Sequence, residues 1–316
     1  MSDSPIMFGA ASLSRLPALL RPGAKLALVT GRQAARASGL LARVVGLAEE
    51  KTNLVATLAV PSHPAWEDYL GAGRALRESG ANLVLALGGG SVMDVAKHAV
   101  SADGEVLDLI AVPTLFGSGA EVTPFATWWD RTAMLKRSLP VRPCGRVLVD
   151  PLLARTAPRA VRAAAAIRLV RHWLADALAG KTVALCRIAA ASILGGLAIA
   201  SAGSGASHAL SYPLQLRFGV PHGLGCALGL LWLMRAFPER IPADLLSALG
   251  ATDPQSGARE IASLIERAGF STQLAAHGAT VEDLGLIVAE ADATRLVRAG
   301  IRIAPERLAM LLSEVA

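Results

Sequence analysis

Short apolar runs alternate with amphipathic stretches over the first half of the chain. Runs of consecutive aliphatic residues, bounded by polar residues or glycine, predict buried strands at residues 25–30, 54–60, 82–87, 109–112 and 147–149. Between these runs, residues 64–79 and 92–102 space their apolar positions as helices do. Strand, helix and strand in this order predict βαβ units and therefore an α/β domain built on a mostly parallel, Rossmann-like sheet.

The pattern changes from about Pro151 onward. Long Ala- and Leu-rich segments with helical periodicity follow, and glycine and proline residues interrupt them without any alternation typical of strands. We therefore predict two domains, an α/β domain over residues 1–150 and an all-α C-terminal domain over residues 151–316. The Asp150-Pro151 step is the expected boundary.

Composition agrees with a large folded core. Of the 316 residues, 53% are hydrophobic, which excludes a disordered chain. The three cysteines are odd in number and lack CxxC spacing, so neither a disulfide framework nor a cysteine zinc site is indicated. A reducing cytoplasm is the expected location, because the first residues also lack the basic and then apolar pattern of a cleaved signal peptide.

One apolar stretch is long enough to raise the question of a membrane span. No Asp, Glu, Lys or Arg lies between Arg187 and Arg217. Only residues 188–202 are strongly apolar, however, and they are rich in small residues. Polar residues follow them without an aromatic belt. We expect a core helix here and no membrane partner.

The chain carries a formal net charge of +6, but its basic residues are dispersed. Because it has neither a basic cluster with interleaved aromatic residues nor a nucleic-acid motif, no nucleic-acid partner is expected. Two interpretations of the basic excess stay open. One is an ordinary solvated surface, and the other is affinity for a small anionic ligand, since guanidinium groups bind phosphates and carboxylates well.

The predicted strand at residues 82–87 runs into the motif GGGSVMDVAK at residues 88–97. Its glycines allow a ligand to approach the backbone closely, and the helix that follows offers free N–H groups to a phosphate. A pyrophosphate site is the functional interpretation and a tight structural turn is the alternative. Met93 stands where the usual dinucleotide fingerprint has its third glycine. The candidate cofactor-binding residues are Gly88, Gly89, Gly90, Ser91, Asp94 and Lys97.

The next predicted strand leads into a second loop with the sequence VPTLFGSGAEVT at residues 112–123. Hydroxyl groups of Thr114, Ser118 and Thr123 are able to bond phosphate or ribose oxygens. Taken alone, this segment is only a loop. Two such loops at successive strand ends share the carboxyl edge of one sheet, where open α/β folds bind nucleotides.

A pair of histidines, His208 and His222, lies in a charge-poor, glycine-rich part of the second half. Neutral imidazoles there are potential ligands for a divalent metal. Two ligands make an incomplete site, and two unrelated buried histidines are the alternative interpretation.

Taken together, these segments resemble the iron-containing alcohol dehydrogenase family, which has a dehydroquinate synthase-like fold. GGGSVMDVAK is similar to its pyrophosphate loop, PTLFGSGAEVT to its second cofactor loop, and the VDP sequence at residues 149–151 to its domain junction. HALSYPLQLRFGVPHG resembles its segment with two metal-binding histidines. The resemblance implies a dinucleotide-binding domain, then a helical metal and substrate domain, and a homodimer.

Finer matches point to one subgroup of this family. Residues 123–130, 135–139, 211–213 and 218–222 resemble the corresponding segments of phosphonoacetaldehyde reductases. This resemblance implies reduction of a small anionic aldehyde, phosphonoacetaldehyde, to 2-hydroxyethylphosphonate. It implies Fe²⁺ or Zn²⁺ on the two histidines, with a tyrosine beside them. The catalytic candidates are His208, Tyr212 and His222, and the candidates for binding the phosphonate are Lys136, Arg137 and Arg217.

One departure from the family pattern affects the metal site. Relatives carry two further metal ligands, an Asp and a His, on a helix directly after the domain junction. Here residues 151–158 run almost directly into residues 163–174, which resemble the next helix, so we predict that the ligand helix is deleted. Two imidazoles alone should bind a divalent ion far more weakly. His172 and Asp176 are candidate replacements.

The predicted deletion of the ligand helix leaves more than one function open for the chain. The chain is either a reductase, with or without a metal, or a non-catalytic or repurposed family member that binds nucleotide but has lost the metal site.

The end of the first predicted strand bears on cofactor preference. The sequence VTGR at residues 29–32 lacks the acidic residue that would hold a ribose 2′-hydroxyl, and it supplies Arg32 instead. We therefore expect NADP(H) to be favoured over NAD(H). The alternative is that Arg32 is a plain surface residue.

Overall fold

A computed structural model describes residues 5–101, 107–133, 135–156, 176 and 179–316. Packing contacts divide the chain into two units. The first contains Met1–Pro158 and Gly180–Gly203, and the second contains Arg159–Ala179 and Ser204–Ala316. The segment Gly180–Gly203, which lies beyond the predicted boundary at Pro151, therefore belongs to the same unit as the N-terminal part of the chain.

The first unit is built on a six-stranded parallel sheet with the strand order β1-β8-β5-β4-β2-β3. The five predicted strands are confirmed to within one residue at each end. The sixth, β1, has three residues and is too short to show a hydrophobic pattern. The strands are β1 (Ile6–Phe8), β2 (Lys25–Gly31), β3 (Asn53–Val60), β4 (Leu83–Gly88), β5 (Asp108–Pro113) and β8 (Arg146–Val149).

The helices of this unit pack against the sheet. For example, one cluster of buried side chains joins Val44 of the third helix to Leu26 and Leu85 of two central strands. The described helices are α1 (Leu16–Leu19), α2 (Ala34–Ala37), α3 (Leu40–Glu49), α4 (Trp66–Glu78), α5 (Gly90–Ala99) and α6 (Thr182–Ala202), with 3-10 turns at Ser12–Arg15 and Pro151–Thr156. The two predicted helices correspond to α4 and α5.

A separate antiparallel hairpin follows the second predicted loop. It consists of β6 (Phe125–Asp130) and β7 (Leu135–Pro140), and Thr127 pairs with Ser138 near its middle. The pattern of the sequence did not indicate it, because bulky, polar and charged residues are mixed on both of its faces.

Helix α6 contains the apolar stretch singled out above. Its window Thr182–Ala200 is long and apolar enough to cross a membrane, and 39% of that window is buried, but one such helix is weak evidence for a span. On one face, Ser192 Oγ accepts the Gly117 N–H at 2.7 Å. On the remaining surface Val183 and Leu194 are exposed. The expectation of a core helix therefore holds for one face only.

Among the described residues, the second unit consists of helices and turns. The helices are α7 (Ala206–Phe218), α8 (His222–Ala236), α9 (Ala243–Leu249), α10 (Pro254–Arg267), α11 (Leu284–Ala289), α12 (Ala293–Arg298) and α13 (Pro305–Ser313), with 3-10 turns at Pro238–Arg240 and Leu274–His277. Helices α7 and α8 pack closely, because glycines face the partner helix. A Cβ on Gly225 would lie 3.1 Å from Ser211 Cβ.

Candidate functional site

The glycine-rich turn of the first unit joins β4 to α5. Strand β4 ends at Gly88, and α5 begins at Gly90. Only glycine fits at the first of these positions, since a Cβ on Gly88 would lie 2.5 Å from Val92 Cγ2. The first N–H groups of a helix have no acceptor within it, and they favour a phosphate group. The geometry of the turn is thus compatible with an anion, and binding of pyrophosphate there stays a prediction.

The second predicted loop lies directly beside this turn. Gly88 and Pro113 are register partners, so β4 and β5 end at the same edge of the sheet. The N–H of Thr114 donates to the Gly88 carbonyl at 2.9 Å. A Cβ on Gly90 would lie 3.0 Å from Ser118 Oγ. The structure thus brings together the two loops that the sequence identified separately.

Arg32 lies at the point where the sheet changes its winding direction. Strand β2 has β3 on one side and β4 on the other, and Thr30 of β2 is in register with Leu87 of β4. In open α/β sheets, ligands bind outside the carboxyl ends of the strands that flank this switch point. Arg32 follows β2 at that end and is exposed to solvent.

Asp94 and Lys97 are buried, and their described bonds stay within the protein. Lys97 is 0% exposed, and its Nζ lies 3.0 Å from Asp94 Oδ1. The same ammonium donates to the Thr123 carbonyl at 3.1 Å and to the Phe125 carbonyl. Asp94 Oδ2 accepts bonds from the Thr127 N–H at 3.1 Å and the Thr127 hydroxyl at 2.8 Å. This pair ties α5 to the hairpin.

Three predicted cofactor residues make contacts inside the protein. Asp94, Lys97 and the buried Thr123 link α5 to the second loop and the hairpin, and their role at the cofactor stays a prediction. Ser91 also has an internal partner, because its hydroxyl donates to the Ser62 carbonyl at 2.7 Å. Gly88, Gly89, Gly90, Thr114 and Ser118 lie together at this edge of the sheet.

Glu121 is a buried acid that the sequence analysis did not single out. It is 2% exposed. Burial raises its pKa to about 7, and the nearby Lys97 offsets part of that rise. The nearby Tyr69 hydroxyl donates to the Thr127 carbonyl at 2.7 Å. Burial raises the pKa of Tyr69 as well. The one sequence feature that could have pointed to Glu121 is that it is a single acidic residue in the mostly apolar segment after Gly119.

Two of the three predicted phosphonate-binding cations are engaged with carboxylates. Arg137 Nε lies 2.7 Å from Asp130 Oδ2, and Arg217 Nε lies 2.6 Å from Glu290 Oε2. Lys136 Nζ lies 5.0 Å from the centre of the Trp129 ring, a cation–π arrangement.

A cluster of potential metal ligands lies on α7 and α8 of the second unit. The rings of His208 and His222 have centroids 5.4 Å apart. Cys226 lies one helical turn after His222, and ligand atoms of all three residues lie within 4.8 Å of one another. Cys226 is buried and the histidines are half-buried. Three such donors fit a divalent ion that keeps one coordination position open.

Tyr212 completes the cluster by stacking on His222, with ring centroids 5.6 Å apart and planes 16° from parallel. The guanidinium carbon of Arg295 lies 4.9 Å from the centre of the Tyr212 ring. Arg295 is itself held by Asp292 Oδ2 at 2.6 Å and Ser204 Oγ at 2.8 Å. The structure therefore brings the three predicted catalytic residues together.

Two members of this group, Cys226 and Arg295, were not predicted from the sequence. Cys226 carried one signal, its spacing of four residues after His222, which puts both side chains on the same helix face. Arg295 lies far along the chain on α12 and carried no local signal. Of the candidate replacement ligands, His172 lies outside the described residues, as does residue range 157–175, where the deletion was predicted. Asp176 is a half-buried helical residue.

Comparison with known families covers nearly the whole chain. Residues 4–151 match the family described as iron-containing alcohol dehydrogenase, and residues 160–306 match the C-terminal domain of the Fe-containing alcohol dehydrogenase family.

Two relatives illustrate the range of similarity. The chain is 35% identical over 247 residues to phosphonoacetaldehyde reductase of Streptomyces viridochromogenes, covering 59% of this chain and 61% of that relative. It is 29% identical over 287 residues to long-chain-alcohol dehydrogenase 1 of Geobacillus thermodenitrificans, covering 74% of this chain and 73% of the relative. The chain thus spans less than two thirds of the length of the first.

The fold is shared with solved structures. Sulfoacetaldehyde reductase from Bifidobacterium kashiwanohense, in complex with NAD⁺, superposes with a TM-score of 0.87 over 100% of this chain and 98% of its own, at 22% identity. The predicted fold class, an α/β domain with a parallel sheet followed by a helical domain, is confirmed. The predicted resemblance is confirmed as well, and the chain belongs to the iron-containing alcohol dehydrogenase family.

Proposed function

We propose that this protein is an NAD(P)H-dependent aldehyde reductase, and that its substrate is phosphonoacetaldehyde, which it reduces to 2-hydroxyethylphosphonate. One observation carries the cofactor part of the proposal: the glycine turn at Gly88–Gly90 and the loop after β5 touch each other at one sheet edge. The family and the 35% identity to a phosphonoacetaldehyde reductase support the reaction and the substrate class.

The first unit binds the nucleotide in this proposal. The N–H groups at the start of α5 hold the pyrophosphate, and the Thr114 and Ser118 hydroxyls bond neighbouring phosphate or ribose oxygens. Arg32 binds the 2′-phosphate of NADPH, because it is exposed at the carboxyl end of β2 and no carboxylate stands in its place. NADP(H) is therefore favoured over NAD(H).

The second unit supplies the groups that act on the carbonyl. Bound NADPH would supply a hydride to the aldehyde carbon, the C=O π bond would break, and the oxygen would take a proton to become the alcohol. The Tyr212 hydroxyl donates that proton, since its ring is fixed between His222 and Arg295. When bound by the histidines, a divalent ion polarises the carbonyl oxygen as a Lewis acid.

The phosphonate requires a cation. Lys136, Arg137 and Arg217 all stay candidates for this role, and we test Lys136, whose Nζ lies 5.0 Å from the centre of the Trp129 ring on the hairpin. A homodimer also stays a prediction, based on the family resemblance.

One alternative function has a specific feature in its favour. The predicted deletion of the helix with the Asp and His ligands favours a family member that binds nucleotide without catalysing reduction. The cluster on α7 and α8 favours catalysis instead, because its residues remain assembled.

Steady-state NADPH oxidation tests the proposal. Phosphonoacetaldehyde and acetaldehyde are offered in parallel, since they share the reacting carbonyl and differ in the phosphonate. We expect kcat/KM to be higher for phosphonoacetaldehyde, and this preference should shrink in Lys136→Met but not in Lys51→Met, an exposed lysine before β3. NADPH binding without consumption of either aldehyde would support the non-catalytic alternative.

A further inference from the structure

We propose that Cys226 is a third protein ligand in a metal site on α7 and α8, and that this site selects Zn²⁺ over Fe²⁺. The inference rests on residues of the second unit alone. It therefore stands or falls independently of the substrate proposed above.

The spacing of the donor atoms fits tetrahedral zinc. Cys226 Sγ lies 3.8 Å from His222 Nε2. Zinc bonds of about 2.3 Å to sulfur and about 2.05 Å to nitrogen, at a tetrahedral angle, place those two donors roughly 3.6 Å apart. A shift of a few tenths of an ångström brings the pair to that separation. His208 supplies a further donor within 4.8 Å of the other two.

Ser211 orients His222 for ligation. The Ser211 hydroxyl donates its single proton to the His208 carbonyl at 2.8 Å. Its oxygen therefore accepts a bond from Nδ1–H of His222, 3.0 Å away. This arrangement puts the ring proton on Nδ1 and leaves the Nε2 lone pair directed elsewhere, as in metal-bound histidines whose other nitrogen has an outer-shell partner. Ser211 is fully buried, so water does not compete for this bond.

The donor chemistry decides between metals. One thiolate and two imidazoles form a borderline-soft set, which suits zinc, whereas carboxylate and water oxygens favour harder ions. Three protein ligands also leave a fourth tetrahedral position for an exogenous oxygen atom. In this protein the third donor thus comes from the same helix as His222, and the predicted deletion removes two ligands without removing the site.

X-ray absorption on the wild-type full chain tests the ligand directly. The protein is loaded with one equivalent of Zn²⁺, and the zinc-edge spectrum is recorded. We expect one sulfur scatterer at about 2.3 Å together with nitrogen or oxygen scatterers. A shell without sulfur, or a chain that retains no zinc after gel filtration, would overturn the proposal.

A Co²⁺-loaded series gives a second readout. Co²⁺ bound to thiolate absorbs in the near-ultraviolet by charge transfer, so this band should appear in the wild type and vanish in Cys226→Ser. Cys186→Ser is the matched control, since Cys186 is half-buried on α6 in the other unit, and it should keep the band.

Zn²⁺ affinity is measured in the same variants. Loss of outer-shell partners costs roughly 10- to 100-fold in metal affinity, so loss of a ligand in Cys226→Ser should cost at least that much. A correctly folded Cys226→Ser protein that keeps both the band and wild-type zinc affinity would contradict the proposal.

Discussion

One buried residue, Glu121, should make the stability of the first unit depend on pH. Its carboxyl is enclosed near Lys97 and Asp94, and burial raises its pKa from the ordinary 4.5 to about 7. The folded protein therefore holds a proton that the unfolded chain has already released. As the pH rises from about 4.5 to about 7, the free energy of unfolding should fall, and above that range this contribution levels off.

The variant Glu121→Gln tests this expectation, because glutamine keeps the shape of the protonated acid without titrating. We expect the urea midpoint of the wild type to fall between pH 5 and pH 8, by an amount worth on the order of 1 to 3 kcal/mol. The fall should be smaller in Glu121→Gln. Glu50→Gln, at an exposed position, should follow the wild type. Equal slopes in all three proteins would refute the assignment.

We propose that cofactor preference depends on Arg32. Replacing it with aspartate removes the cation proposed for the 2′-phosphate and supplies the acid that binds a ribose 2′-hydroxyl. The ratio of kcat/KM for NADPH to that for NADH should drop by roughly 10- to 100-fold, the value of a hydrogen bond to a charged group.

Arg21→Asp is the control for this change, because Arg21 is an exposed arginine before the opposite end of β2. It should leave the ratio unchanged. If Arg32→Asp also leaves the ratio unchanged, Arg32 is a plain surface residue.

At the scale of elements, α6 supports the second cofactor loop through a contact between two glycines. Gly119 has φ +64°, and a Cβ added to it would lie 2.3 Å from Gly196 Cα. A Cβ on Gly196 would likewise lie 2.8 Å from the Gly119 carbonyl oxygen. The helix can pack against the loop only because both positions lack side chains.

Gly196→Ala should therefore push α6 from the loop, lower the melting temperature and weaken NADPH binding. Gly195→Ala is a matched control, since nothing lies within 4 Å of its added Cβ. At that site alanine should leave binding unchanged and add slightly to stability, because it favours helix by up to about 1 kcal/mol over glycine. Thermal melts and NADPH fluorescence titrations measure both effects. If Gly196→Ala and Gly195→Ala have the same melting temperature and NADPH affinity, the contact between Gly119 and Gly196 does not limit the packing of α6 on the loop.

Elements whose environment is uniform could be predicted from the sequence. Buried parallel strands such as β4 are apolar on both faces, so they stand out as continuous hydrophobic runs. The hairpin of β6 and β7 was not predicted, because Trp129 and Lys136 pair across it and mix apolar with charged positions. Its position depends on hydrogen bonds that Thr127 donates to Asp94, which belongs to another element.

Side-chain roles were harder to predict than elements. The motif spacing identified Asp94 and Lys97 as cofactor candidates, but it gave no information on the buried contacts that link them to the hairpin. The lack of CxxC spacing gave no indication of a cysteine zinc site, and the approach of Cys226 to His208 arises only from the close packing of α7 and α8. Such roles depend on tertiary contacts between residues far apart in the chain.

At the scale of the whole molecule, the proposed reduction needs both the predicted nucleotide residues of the first unit and the histidine cluster of the second. Family membership supports this division of labour. The variant Tyr212→Phe tests the role of the second unit, because it keeps the ring that stacks on His222 and removes the proposed proton donor. Loss of a general acid costs roughly 10²- to 10⁴-fold in rate, whereas NADPH affinity should be unaffected.

The most direct measurement is transfer of deuterium from C4-deuterated NADPH to phosphonoacetaldehyde, followed by NMR of the product. We predict deuterium on the carbinol carbon of 2-hydroxyethylphosphonate, at a rate that falls about 100-fold or more in Tyr212→Phe. Saturated binding of NADPH with no deuterium in any phosphonate product would contradict the assignment as a reductase of this aldehyde.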